Sequence, residues 1–341
     1  MNKFPAYISI LSILIMIAVV LSGCGGGIRQ RSASRLPQGC SESSLSFNGL
    51  TRWYRVCVPD PRPSEVPLVL ALHGGTLSMR SFFSPLADTS ASWVQIAAEQ
   101  GVVLVFPNGV NPENGDTYGD DQVWNDLRPD QASGQTEVDD VGFMRSLVDK
   151  ISAELPIDPE RIYVTGASNG GMMTYRLLLE APELFAAGAV FIANLPETEN
   201  ALPEPSHPVP IMIANSTEDP LMPYEGGIVA KDRGLVISTR ETVDWWVNSN
   251  NANSAGLKTT LLPDLNPDDN CRIREEIYTE SEGGAEVRLY TIIGGGHTIP
   301  ALDQPGFLMR FYSRLLGPVC RDADGVMLAW DFFSSLSPDT D

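Results

Sequence analysis

The chain is organised by short runs that are apolar at every position, separated by stretches with helical spacing. Leu68 to Leu72 reads LVLAL and ends in His73-Gly74-Gly75, and Gly101 to Phe106 reads GVVLVF and ends in Pro107-Asn108-Gly109. Ala189 to Ala193 and Val209 to Ala214 are two more runs of this kind, and Arg161 to Thr165, RIYVT, reads as a further strand. Between them, Ser92 to Gln100, Asp140 to Leu155, Met172 to Glu180 and Ser238 to Asn248 carry helical periodicity. In the second of these, Val141, Met144, Leu147, Val148 and Ile151 share one face. Asp158-Pro159 is expected to break the chain after that helix, Glu275 to Thr279 and Glu286 to Ile292 to pair as strands, and Gly306 to Leu316 to form a last helix. Strands apolar on both faces and alternating with helices predict an α/β fold: a mostly parallel central sheet with helices on both faces. The in-out alternation of Arg52 to Val58 predicts an antiparallel edge hairpin at the N-terminal side. The irregular stretch from Asn108 to Glu137 leaves the carboxyl end of a strand, where open α/β sheets bind ligands.

The first 23 residues do not belong to this pattern. Lys3 precedes an apolar run from Ile8 to Leu21, too short to cross a bilayer but the length of a signal-peptide core. Leu21-Ser22-Gly23-Cys24 closes it and resembles a bacterial lipobox, which implies acylation of Cys24 and attachment to a membrane without a spanning helix. A flexible tether over 24–39, opened by Gly25-Gly26-Gly27, then leads to one catalytic domain over 40–341. The expected location is therefore exported and lipid-anchored, at the bacterial outer membrane, the cell surface or in the periplasm. Cys40, Cys57, Cys271 and Cys320 remain, an even number suited to two disulfides, with Cys40–Cys57 and Cys271–Cys320 the favoured pairing. A zinc site is not expected, because there is no Cys-x-x-Cys and no histidine cluster. A net charge of −20 repels nucleic-acid phosphates and excludes that class of partner.

The chemistry concentrates in Gly166-Ala167-Ser168-Asn169-Gly170-Gly171. It follows a strand and opens a helix, the setting of a nucleophile elbow, in which a strained turn exposes a serine and its neighbours must be small. A serine hydroxyl needs a base. The chain has three histidines. His73 lies in the first glycine turn and His207 at the wrong end of a strand. His297, after Gly294-Gly295-Gly296, fits the order serine, acid, histidine. The acid belongs on the loop after Val209 to Ala214, where Asp219 is favoured and Glu218 is the alternative. Two N–H donors must receive the oxyanion: Asn169 supplies one, and Gly75 or Thr76 the other. Trp124, in a polar loop, is a candidate substrate-binding residue, while Trp245 and Trp246 read as core.

These segments together resemble the secreted carboxylesterases of the polyhydroxybutyrate depolymerase-like and feruloyl esterase-like family. The likeness rests on Leu72-His73-Gly74-Gly75, Phe106-Pro107-Asn108-Gly109, Trp124-Asn125, Val138-Asp139-Asp140-Val141 and the run Asp158 to Gly171. Asp219-Pro220, Pro223-Tyr224, Gly226-Gly227 and Gly294 to Thr298 continue it in order, from about residue 50 to 335. The resemblance implies an α/β-hydrolase fold, a triad on Ser168, Asp219 and His297, and a cleft lined by the Trp124 loop. The chain departs from the family at Ile299-Pro300-Ala301, where Trp-Pro-Gly is common, and at Asn215-Ser216-Thr217 before the acid. The expected activity is cofactor-free hydrolysis of an ester substrate, small or polymeric, through an acyl-enzyme. The alternatives are a serine peptidase on the same fold and an inactive surface binding protein.

Overall fold

The structure, a computed structural model, describes residues 36–60, 63–83, 90–128, 138–198, 201–230, 232–303 and 314–336. Cys24, the N-terminal segment and most of the expected helix from Gly306 to Leu316 lie outside these residues. Among the described residues ten strands form one sheet. The hairpin β1 (Cys40–Phe47) and β2 (Leu50–Cys57) packs antiparallel on β4 (Val103–Pro107). From β4 the sheet runs parallel through β3 (Val66–Leu72), β5 (Ile157–Ala167), β6 (Ala187–Phe191), β7 (Ile211–Ser216) and β12 (Val287–Ile293). It ends in the antiparallel strands β11 (Arg272–Thr279) and β10 (Asn253–Leu261). A separate small ribbon joins β8 (Gly227–Ile228) to β9 (Leu235–Val236). The expected α/β-hydrolase architecture, edge hairpin included, is what the chain adopts.

Side chains of the parallel strands alternate between two helical layers, because successive residues of a strand face opposite ways. On one face Leu68, Leu70, Leu72, Val164 and Ile213 pack with helices α2 (Asp140–Glu154), α3 (Asn169–Glu180) and α4 (Thr239–Ser249). On the other, Val69, Ala71, Tyr163, Ala189 and Phe191 meet α1 (Ser90–Gln100) and α5 (Gly325–Ser335). Trp246 is fully buried and Trp245 packs against the core, as expected of both.

Local sequence sets the helix starts. The Asp139 carboxylate accepts from the Gly142 N–H at the head of α2, Ser238 and Glu241 form a reciprocal capping box on α4, and Asp324 accepts from Val326 and Met327 at α5. Asp140 has a second use: fully buried, it pairs with Arg52 of β2 at 2.6 Å and accepts the Asn125 N–H at 2.8 Å. It thereby ties the hairpin and the Trp124 loop to α2. The helical stretch already ends at Glu154, and Asp158-Pro159, expected to break the chain there, lies instead inside β5, which starts at Ile157.

Both expected disulfides are present. Cys40–Cys57 staples the hairpin between residues directly opposite each other, and Cys271–Cys320 joins the start of β11 to the segment before α5. Bridges of this kind persist in oxidising compartments, so the domain is that of an exported protein. Because the cross-link acts largely by restricting the unfolded chain, the wider loop of 49 residues stabilises more than the loop of 17. Replacing Cys271 and Cys320 by serine is expected to cost about 4 kcal/mol in urea unfolding and replacing Cys40 and Cys57 about 3 kcal/mol. A reversed order of the two would contradict this.

Candidate active site

Parallel strands deliver four loops to one edge of the sheet: residue 73 after β3, residue 168 after β5, residue 219 after β7 and residue 297 after β12. Ser168 sits between β5 and α3 with φ 56° and ψ −124°, a conformation side-chain-bearing residues rarely occupy. The glycines around it are required by close packing. A Cβ on Gly166 would stand 2.3 Å from the Gly170 carbonyl oxygen, and one on Gly170 2.4 Å from the Leu72 carbonyl oxygen. The elbow is therefore pressed against the end of β3. Met172 N–H reaches back to the Ser168 carbonyl, so α3 begins at once and its first N–H groups lie beside the serine.

His297 and Asp219 meet across neighbouring loops, with Nδ1 2.7 Å from a carboxylate oxygen of Asp219. The other oxygen of Asp219 accepts from the N–H groups of Leu221 and Met222, both at 2.8 Å, which fixes the carboxylate. Glu218 is exposed and contributes its backbone instead, donating to the Gly295 carbonyl at 3.0 Å. The histidine loop leans on the segment held by the second disulfide, since Gly296 N–H donates to the Pro318 carbonyl at 2.9 Å. Gly296 is obligatory there, as a Cβ would approach the Leu316 carbonyl oxygen to 2.2 Å. His207 is exposed and far along the chain from these loops, beside Ser206.

The donor loop corrects one expectation. The Thr76 N–H donates to the Gln122 carbonyl at 2.8 Å and is not available to an oxyanion. Of the two expected donors Gly75 remains the candidate, and a Cβ built on it would lie 3.3 Å from Cβ of Asn169. Asn169 itself is held on three sides: its Oδ1 accepts the Trp124 N–H, and its Nδ2 donates to the Trp124 carbonyl and to Asp126. Asp126 is in turn paired with Arg128 at 2.7 Å.

Trp124 is a second correction. It is completely buried, its indole N–H donates to the His73 carbonyl at 2.9 Å, and its ring lies 4.8 Å from the His73 ring. It cannot face a substrate; it braces the loop that grips Asn169. Asn125 and Asp126 beside it are themselves buried, tied to Asp140 and Arg128, while Asp120 and Asp121, which also suggest a surface loop, are exposed.

Sequence reasoning passed over His73 as a base and missed its structural use. Its Nε2 accepts the Gly109 N–H at 3.0 Å, so Nδ1 carries the proton and donates to the Gly74 carbonyl at 2.8 Å. The ring thus bolts the turn after β3 to the turn after β4. Burial, with a smaller push from the Arg52 charge, lowers its pKa from 6.5 to about 4. Among the described residues no group of histidines, cysteines and carboxylates could hold a metal ion, and no helix is long and apolar enough to cross a membrane.

Fold and loop geometry define an α/β-hydrolase. The fold is shared with an acetyl xylan esterase from Aspergillus awamori (TM-score 0.52, 17% identity, 80% of this chain and 98% of that one). It is shared too with an S-formylglutathione hydrolase from Agrobacterium tumefaciens (TM-score 0.51, 12% identity, 87% and 95%). Residues 88–195, which include the elbow, match the prolyl oligopeptidase family, Peptidase_S9. Among relatives, the putative esterase NocK of Nocardia uniformis subsp. tsuyamanensis is 30% identical over 267 residues, 74% of this chain and 72% of its own length. The chain belongs to the esterase family that NocK represents. Feruloyl esterase B of Piromyces equi is 26% identical over 63% of this chain, and poly(3-hydroxyalkanoate) depolymerase C of Paucimonas lemoignei 31% over 41%. The chain spans only 38% and 30% of those two longer proteins.

His73 gives the site a pH signature. Above pH 6.5 both folded and unfolded chains carry it neutral, and stability is full. Between pH 6.5 and about 4 the unfolded chain takes up a proton that the folded one refuses, so stability falls with pH by about 3 kcal/mol. Urea unfolding of the protein and of His73→Gln across this window is expected to show that part of the slope only in the former. Equal slopes would refute it.

Proposed function

We propose that the protein is a serine carboxylesterase in which Ser168 attacks the ester carbonyl, His297 takes its proton, and Asp219 orients and stabilises the imidazolium. The observation that carries this reading is the strained, half-buried turn of Ser168 at the same sheet edge as a hydrogen-bonded Asp219–His297 pair. The tetrahedral oxyanion is received by the N–H groups of Asn169 and Gly75. His297 returns its proton to the leaving alcohol as the carbon–oxygen bond breaks, leaving the acyl group on Ser168. Water, deprotonated by His297, then adds to the acyl carbonyl; the bond to Ser168 breaks, His297 gives the proton to the serine oxygen, and the acid leaves. No cofactor enters either half.

Substrates fall in one of two groups, hydroxyalkanoate polyesters and their oligomers, or feruloyl and other acyl esters on polysaccharide. The names of the relatives from Paucimonas lemoignei and Piromyces equi support both. Hydroxybutyrate oligomers, methyl ferulate and acetylated xylan, offered in parallel, separate them. The prolyl oligopeptidase match covers residues 88–195 only and does not favour the alternative, a peptidase on the same fold, which p-nitrophenyl acetate against a peptide anilide tests. The full chain is read as a lipoprotein: signal peptide over 1–23, tether over 24–39, and catalytic domain from residue 40, held to the membrane through acylated Cys24. The outer membrane or cell surface and the periplasm are the two locations this anchor allows.

With p-nitrophenyl acetate, Ser168→Ala is expected to lower kcat by at least about 10⁴-fold and Asp219→Asn by about 10³–10⁴-fold. Retention of wild-type kcat by Asp219→Asn, with Ser168→Ala inactive, would mean that another acid serves His297.

A further inference from the structure

Residues 317–321 form neither strand nor helix, yet with Leu316 they brace the loop that carries His297. The His297 N–H donates to the Leu316 carbonyl, and the Ala301 N–H to the Cys320 carbonyl at 3.0 Å. Between these, the Pro318 carbonyl accepts from the Gly296 N–H at 2.9 Å and from the Thr298 hydroxyl at 3.0 Å. The packing is as close as the bonding, since a Cβ on Gly296 would stand 2.5 Å from Cα of Gly317.

A second segment holds the start of the same loop. Gly294 has φ 80°, and a Cβ there would meet the Asn270 carbonyl oxygen at 2.6 Å and Cα of Cys271 at 3.7 Å. The loop 294–298 is thus gripped by 270–271 and by 316–320, and Cys271–Cys320 is the covalent bond between those two segments. Both cysteines are buried. Two carboxylates reinforce the junction. Asp269 accepts from the N–H groups of Cys271 and Arg321, both at 2.9 Å, and Asp322 from those of Leu265 at 2.9 Å and Asn266 at 3.2 Å. Hydrogen bonds of this kind contribute about 1 kcal/mol each and open readily, whereas the bridge does not part. Cys40–Cys57 has no such place, because β1 and β2 form the opposite edge of the sheet, with five strands between β2 and β12.

We infer that Cys271–Cys320 is a clamp that positions His297, so that Cys271 and Cys320 are positioning residues for the hydrolysis proposed above, the reading on which this rests. His297 must keep Nδ1 on Asp219, 2.7 Å away, while its other ring nitrogen meets the Ser168 hydroxyl. A misplacement of about 1 Å in such a group costs on the order of 10²-fold in rate. Without the bridge, 316–320 and the histidine loop are free to shift together, because most of what remains joins them to each other. The bridge forms when the two thiols pass two electrons and two protons to a disulfide oxidant, the class that oxidising compartments supply. The domain therefore reaches full kcat only there.

The test compares the full chain with Cys271→Ser/Cys320→Ser and with Cys40→Ser/Cys57→Ser on p-nitrophenyl acetate. The first pair is expected to lower kcat about 10²-fold with KM unchanged, and the second to leave both unchanged. Cys40→Ser/Cys57→Ser folded in dithiothreitol and then oxidised by glutathione disulfide is expected to gain kcat as the thiols of Cys271 and Cys320 disappear. Wild-type kcat in Cys271→Ser/Cys320→Ser, or an equal fall in both pairs, overturns the inference. Imidazole N–H resonances give a readout independent of hydrolysis. The hydrogen-bonded Nδ1–H groups of His297 and of buried His73 resonate far downfield, while exposed His207 exchanges with water. Loss of the His297 signal in Cys271→Ser/Cys320→Ser, with the His73 signal kept, shows a folded domain with a loosened base. Should that occur while no ester is cleaved by the wild type, the clamp stands and the esterase reading fails. Both signals unchanged overturn the clamp whatever the kinetics. If the serine pair does not fold, Thr298→Val carries the test, since it removes one bond to the Pro318 carbonyl and keeps the bridge. It is expected to lower kcat about fivefold at unchanged KM, and wild-type kcat there overturns the inference.

Discussion

The close approach of the head of α3 to the end of β3 is the constraint on which the site depends. With Gly170 packed on the Leu72 and His73 carbonyls and Gly166 packed on Gly170, the chain has no room for an ordinary turn at residue 168. Ser168 is forced into a left-handed conformation that costs on the order of 1–3 kcal/mol and is held only because its surroundings are overdetermined. That cost is local, and the stability that offsets it is distributed. β3 is buried at every position, both helical layers pack on the parallel strands, and the hairpin is stapled by Cys40–Cys57.

Around this constraint, buried polar groups act as fasteners. His73 joins the turns after β3 and β4, Asn169 locks onto both backbone groups of Trp124, Asp126 with Arg128 holds the Asn169 amide, and Asp140 connects the same loop to Arg52. His73, Asn169, Asp126 and Asp140 each make specific hydrogen bonds, which rigidifies a buried polar network, although the Arg52 Nε among them lacks a partner among the described residues. Preorganisation of this sort is what keeps N–H donors aimed at a developing charge. Across the sheet, Asp219 is fixed by two backbone N–H groups, and the loop of His297 rests on a segment anchored by a disulfide. The two halves of the proposed triad are thus positioned by different means.

Much of this was legible along the chain. Apolar runs such as LVLAL and GVVLVF, short and closed by glycine or proline turns, read as strands buried on both faces, and Gly166, Gly170 and Gly171 announce a turn with no room for side chains at those positions. The elements that escaped detection lack such signals. β10, NSAGLKTTL, is an edge strand with exposed positions almost throughout, so burial imposes no pattern on it. In α5, GVMLAWDFFSS, apolar residues fall nearly all round the helix and leave no polar stripe to reveal the period. Trp124 misleads because its neighbours Asn125 and Asp126 look like surface residues, and only partners 15 and 43 residues away show that they are not. The loss of Thr76 as a donor depends in the same way on Gln122, a contact that no local motif encodes.

The central claim is that Ser168 alone among the serines is made nucleophilic by its surroundings. The most direct measurement is to treat the native protein with a fluorophosphonate and locate the adduct by peptide mass spectrometry. A single adduct on the peptide bearing Ser168, abolished by prior unfolding in urea, is the result this account predicts. An adduct on a different serine, or none while Ser168 remains unmodified in active protein, would contradict it.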